Sequence, residues 1–184
     1  MYLPSAVLAV ALSLGAGAAW SHSESHDKKP AAKSAPVNTE EHAFGRAGDP
    51  KKAARTITIG MDDRMRFVAG SQGHGVTDVR PGAVAHAMPG DITVKRGETV
   101  RFVAHNDGKL MHEMVIGTMK ELKDHAELMR KFPDMEHDEP YMAHVAPGKR
   151  GEIVWQFTRA GEFHYACLVP GHMEAGMISK ITVK

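Results

Sequence analysis

Cys167, His172 and Met177 recur at intervals of five near the end of this chain. Their side chains are a thiolate, an imidazole and a thioether, the soft and borderline donors that suit copper. They lie in the run Tyr165-Ala166-Cys167-Leu168-Val169-Pro170-Gly171-His172-Met173-Glu174-Ala175-Gly176-Met177. The Pro170-Gly171 pair bends this run, so His172 can turn back between the other two. A fourth donor must come from a neighbouring strand. His112 qualifies, because it starts a strand just after the turn signal Asn106-Asp107-Gly108-Lys109.

Two imidazoles, a thiolate and a thioether make a trigonal plane with a weak axial ligand, the mononuclear blue-copper arrangement. Thiolate favours Cu(I) without excluding Cu(II), and imidazole serves both. A distant thioether forces neither geometry. Such a site changes little between oxidation states, so electrons move through it quickly. Ligation also consumes the lone cysteine, which would otherwise be a liability in an oxidising compartment.

The elements that must position these donors are short strands separated by Gly, Pro, Asn and Asp turns. Strands are expected over residues 55–60, 92–95, 99–105, 112–117, 151–158, 162–167 and 177–183. Arg96-Gly97-Glu98 reads as a hairpin turn or a bend between sheets. Ile153, Trp155 and Phe157 fall on one face at period two. One segment, 119–132, reads as a helix, with Leu122, Ala126 and Met129 at helical spacing and Pro133 as its stop. The reading is an all-β antiparallel sandwich with one inserted helix. Residues 70–90 form a long glycine-bearing loop of little periodicity.

The chain has 184 residues, with 23 Lys and Arg against 22 Asp and Glu. No basic stripe appears, so nucleic acid is not an expected partner. Residues 1–21 read as a secretory signal cut after Ser21, with a cut after Ala18 as second choice. The apolar run is shorter than the roughly 20 residues a span needs. Its start carries no Lys or Arg, which leaves a retained anchor as the alternative. After cleavage no stable membrane insertion is expected, and the location is the bacterial periplasm. Residues 22–54 are polar, rich in Ala, Ser, Pro, Lys and Glu, and read as a disordered leader bearing His22, His26 and His42. The folded domain is then 55–184.

The motif pair around His112 and around Cys167 to Met177 resembles the cupredoxin family, which includes plastocyanin, azurin and amicyanin. The resemblance covers about residues 55–184 and implies a Greek-key β-sandwich. The family's ligands fall on His112, Cys167, His172 and Met177, for one type 1 copper ion. A nearer likeness is to exported bacterial copper-tolerance cupredoxins of the CopI type. These share a signal, a His-bearing leader, a start like Met61-Asp62-Asp63-Arg64-Met65-Arg66-Phe67, a His-Glu ligand strand and a mid-chain helix. Plastocyanins and azurins usually carry Asn after the first His ligand, whereas this chain carries Glu113.

The chain holds 12 His and 12 Met, more than one copper site uses. His164 faces away from Cys167, His105 reads as structural, His125 as surface, and Met173 as a cover for the loop. Two clusters are candidates for further, weaker copper: Met135-Glu136-His137 with Tyr141-Met142-Ala143-His144, and His74, His86 and Met88. The plain alternative is polar loop. Neither Ser/His/Asp ordering, phosphate loop nor haem attachment motif appears, and no His-x-His pair supports a multicopper oxidase or nitrite reductase. The chain therefore reads as a non-enzymatic copper protein of copper tolerance. The alternative is a one-electron carrier between respiratory or photosynthetic complexes and a soluble partner. A redox partner would dock near His172 on Leu168, Val169 and Pro170.

Overall fold

The computed structural model describes residues 40–70, 90–133 and 137–184. In chain order the strands are β1 (Arg46–Ala47), β2 (Arg55–Asp62), β3 (Arg66–Ala69), β4 (Ile92–Val94), β5 (Thr99–Asn106), β6 (His112–Gly117), β7 (Met142–Val145), β8 (Arg150–Gln156), β9 (Gly161–Ala166) and β10 (Ile178–Val183). Helix α1 (Met119–Lys131) lies between β6 and β7. One sheet has the order β1-β8-β5-β2-β3 and the other β4-β10-β9-β6-β7.

Alternation builds the sandwich. On β5, Val100, Phe102 and Ala104 are buried while Arg101, Val103 and His105 are partly exposed. Ile153 and Trp155 of β8, with Phe157 beyond it, bury the face the sequence marked. These side chains meet Phe67, Met114, Phe163 and Tyr165 between the sheets. Arg96-Gly97-Glu98 is the bend between sheets, since β4 and β5 lie in different ones.

Two neighbouring pairs, β2 with β5 and β4 with β10, run parallel, which corrects the wholly antiparallel expectation. Parallel neighbours need a long crossover. Here the chain leaves β2, passes through β3 and β4, and only then returns as β5.

Three strands escaped the sequence reading. β1 belongs to a segment expected in the leader. Residues 40–54 instead pack on the fold: Phe44 is buried, β1 pairs with β8, and Trp155 Nε1 donates to Phe44 O at 3.0 Å. His42, expected in the leader, packs against Phe44, Tyr141 and Trp155. Residues 22–39, and the long loop at 71–89, lie outside the described residues. β3 was hidden by the turn before it. Asp62 pairs with Arg66 around a three-residue loop whose last member, Met65, is left-handed (φ 56°) without being glycine. β7 carries only four residues, too few for a periodic signal.

Helix α1 is set by a capping box. The Thr118 side chain accepts from Glu121 N, and Glu121 reaches back to Thr118 N. Its buried stripe is Leu122, Ala126 and Met129. With Val115, Met142, Ala166 and Leu168, the first two form a second small core on the outer face of the β6–β9 sheet.

Candidate metal centre

The site stands at one end of the sandwich, where β6 begins and β9 ends. Cys167 follows β9 directly. Its N–H donates to Met177 O at 3.1 Å, and Met177 N donates to His172 O at 3.0 Å. His172 N donates to Val169 O, Ala175 N to Gly171 O and Gly176 N to Met173 O, each at 3.0 Å. The loop is thus tied by its own backbone. Gly171 (φ 88°) and Gly176 (φ 102°) take the left-handed turns this path requires.

His112 opens β6, the strand paired with β9 in the same sheet. Asn106, fully buried, pins the preceding turn. Its Nδ2 donates to Leu110 O at 2.8 Å and to Val145 O at 2.7 Å, while its Oδ1 accepts from Gly108 N at 2.9 Å.

The structure brings three of the expected donors together. Cys167 Sγ lies 3.3 Å from His172 Nδ1 and 4.0 Å from His112 Nδ1. The three donor atoms sit within 4.8 Å of one another. Cys167 and His112 are fully buried and His172 is half-buried. Met177 closes the same loop, fully buried in the same core as Cys167. His164 stands apart near Glu162 and Lys180, and His105 pairs with Asp107.

The donor chemistry fits a soft metal ion. Burial pushes the Cys167 thiol up to about 12, so on its own it keeps its proton. A cation beside it is what would make it a thiolate. Burial, and then the neighbouring His112, push the His172 pKa down, which leaves that imidazole neutral with a lone pair to give.

Asp63 was missed in the sequence. It sits in the β2–β3 turn and lies 3.2 Å from His112 Nε2, the ring nitrogen away from the sulfur. It also accepts from Lys109 N at 2.8 Å and Leu110 N at 3.2 Å. Those bonds, that from Lys109 first, lower its pKa. A carboxylate on the outer nitrogen of a metal-binding imidazole fixes tautomer and ring orientation. The approach is close: a Cβ at Gly108 would stand 2.1 Å from Asp63 Oδ1. The only signal was the glycine in the Asn106–Lys109 turn, and nothing local tied it to Asp63.

Comparison with known proteins decides the family. The profile of copper-binding proteins of the plastocyanin/azurin family matches residues 74–184. The chain belongs to that family. Among curated cupredoxin relatives, the copper-resistant cuproprotein CopI of Rubrivivax gelatinosus is 46% identical over 159 residues, covering 86% of this chain and 84% of that protein. The CopI of Pseudomonas aeruginosa is 30% identical, covering 77% and 83%. Of solved structures, auracyanin B superposes with a TM-score of 0.54 at 18% identity, covering 78% of this chain and 96% of that one. A reduced auracyanin of Roseiflexus castenholzii gives 0.51 at 17%, covering 72% and 98%. These two establish the cupredoxin fold.

A second histidine group lies on the outer face of the same sheet. His137 Nε2 is 2.8 Å from His125 Nε2, and His144 Nε2 is 3.2 Å from His137 O. His125, expected at the surface, is therefore partnered. Burial, with His137 and His144 nearby, lowers its pKa. His144 Nδ1 in turn lies 3.0 Å from Glu113 Oε2. Burial raises the Glu113 pKa, and the charge of His144 opposes that rise.

Proposed function

We propose that His112, Cys167, His172 and Met177 hold one type 1 copper ion, and that the protein serves copper tolerance in the periplasm by binding and redox-cycling copper. The observation that carries this reading is the convergence of the thiol and two imidazoles within 4.8 Å at one end of a cupredoxin sandwich. The names of the CopI relatives support the tolerance role. Bound there, copper supplies a one-electron couple whose two oxidation states this mixed donor set accommodates.

The chain's own residues do the rest. Asp63 holds the His112 ring with Nδ1 toward the sulfur. The self-bonded loop fixes Cys167 and Met177 at its two ends. His172, half-buried, is the donor nearest solvent. No helix among the described residues is long and apolar enough to cross a membrane.

The surplus histidines belong to the same role. His125, His137 and His144, from the helix, the segment after it and β7, supply imidazoles for further, weaker copper. Copper stoichiometry of the mature protein, set against a chain beginning at Glu40, tests this. A chain cut at Arg55 would lose β1 and the Phe44 packing. Two or more copper ions in the chain from Glu40 support the outer locus, and one refutes it. For tolerance itself, a deletion strain should grow less well in graded copper. Unaltered sensitivity would refute the role.

One observation favours a second reading, electron carriage to a soluble partner. Leu110 and Met111, just before His112, are each 47% exposed, an apolar surface beside the ligands. Leu168, expected on that surface, is instead buried under α1. Fast electron exchange with a cytochrome c, slowed by Met111→Glu, would support carriage. Slow exchange with every respiratory partner would refute it.

A further inference from the structure

Adjacent residues of a strand point to opposite faces. On β6, His112 turns inward to the copper-ligand cluster, so Glu113 turns outward, beneath α1. There it is almost closed from water: its side chain is 3% exposed. It makes three connections. Its backbone N–H donates to Cys167 Sγ at 3.4 Å. Its Oε1 accepts from Leu168 N at 2.9 Å, on the residue after the thiol. Its Oε2 faces His144 Nδ1 at 3.0 Å, from the directly paired position of β7.

A neutral amide could accept the Leu168 N–H equally well. A buried carboxylate carries a desolvation cost that an amide does not. Something must offset that cost, and the group placed to do so is His144. Beyond His144 the chain of contacts continues to His137 and His125, both half-buried. One side chain therefore touches both the segment that presents the thiol and the outer histidines.

We propose that Glu113 is a positioning residue for the copper thiolate, anchored on its far side by His144, so that a change at His144 is felt at the copper centre. This rests on the ligand assignment above but not on any second copper. Hydrogen bonds to a ligating sulfur and the placement of its backbone tune such centres. A rigid link from Leu168 N through the carboxylate to β7 transmits displacement in either direction.

The test is a double-mutant cycle on the copper-loaded full chain. The readouts are the energy of the thiolate-to-Cu(II) charge-transfer band and the rate of copper loss to a chelator. Glu113→Ala should shift the band and speed copper loss by about tenfold or more, the scale of lost outer-sphere partners. His144→Ala, which touches none of His112, Cys167, His172 and Met177, should shift the band in the same direction by less. In the Glu113→Ala background it should add nothing. Glu113→Gln keeps the acceptor for Leu168 N, so it should hold copper nearly as wild type does but lose the response to His144→Ala. That pair completes the cycle if Glu113→Ala fails to fold. A band unmoved by His144→Ala, or a shift that adds in full on either Glu113 variant, overturns the proposal. If the wild type shows no thiolate band at all, the ligand assignment fails and this link falls with it. A copper stoichiometry of one refutes the outer locus alone.

Discussion

The two faces of strand β6 carry histidine groups of opposite character. On the inner face, His112 joins Cys167 and His172 in a cluster whose thiol side is closed from solvent. Its loop is held by backbone hydrogen bonds and its outer imidazole nitrogen by Asp63. On the other face, His125, His137 and His144 come from a helix, an irregular segment and a short strand. Their mutual placement depends on α1 staying docked. The inner group has the marks of a resident site, set before the metal arrives. The outer group's members stand on three separate elements instead. Two groups of one residue type thus differ in what holds the backbone beneath them.

Removing the thiol should separate the two groups most completely. Cys167→Ala should abolish the thiolate charge-transfer band, as read by visible absorbance of the copper-loaded protein. Copper held by the outer histidines should remain. A persisting band would mean that the ligands are wrong, and loss of both coppers would mean that the two groups are one site.

The reverse separation comes from the helix. Leu122 is 1% exposed in the outer core, and Leu122→Ala should cost about 2–5 kcal/mol in thermal unfolding, as truncation of a buried leucine does. Below the transition the outer copper should weaken while the band energy changes little. Equal loss at both sites would show that α1 supports the whole end of the sandwich rather than the outer group.

Asp63 offers a smaller and more selective change. Asp63→Asn should keep the acceptor for Lys109 N but remove the charge facing His112 Nε2. Copper loss from the inner site should quicken by about tenfold, with the outer site untouched. Stopped-flow transfer to a chelator reads this. No change in rate would mean that the ring is held by packing alone.

The inner group was largely legible in the sequence and the outer group largely was not. Cys167, His172 and Met177 are neighbours along the chain, and a loop between two strands of period two brings them to one end. His112 could be found because a turn signal stands just before it. Asp63, Glu113 and the His125–His137–His144 group needed pairing across strands. His144 meets Glu113 only because β6 and β7 pair in that register, and β7 is too short to announce itself. His125 read as surface because its partner lies in an irregular segment after Pro133. Likewise Phe44 and β1 looked like leader, since two strand residues amid polar chain carry no periodic signal. Its anchor, Trp155, lies 111 residues away. Local pattern was readable, and long-range register was not.

The smallest expected effect concerns protons. His125 has its pKa lowered, chiefly by burial and then by His137 and His144. In the unfolded chain it takes a proton near the ordinary histidine value of about 6.5, before the folded protein does. Its contribution to metal-free stability is therefore present at pH 7 and lost as pH falls through that window. Glu113 works in the opposite sense: with its pKa raised by burial, its contribution is greatest at low pH and declines as pH rises. The net slope thus mixes both, and the His125 part is isolated by substitution. Between pH 7 and pH 5 the Tm of the metal-free protein should fall less steeply in His125→Gln than in the wild type. With outer copper bound, the folded imidazole takes no proton while the unfolded one still does, so the wild-type slope should steepen and its gap from His125→Gln widen. Parallel slopes without metal would mean that His125 is no more shielded than a surface residue. The contrast between a fixed inner group and an outer one on three separate elements would then have to rest on the loop alone.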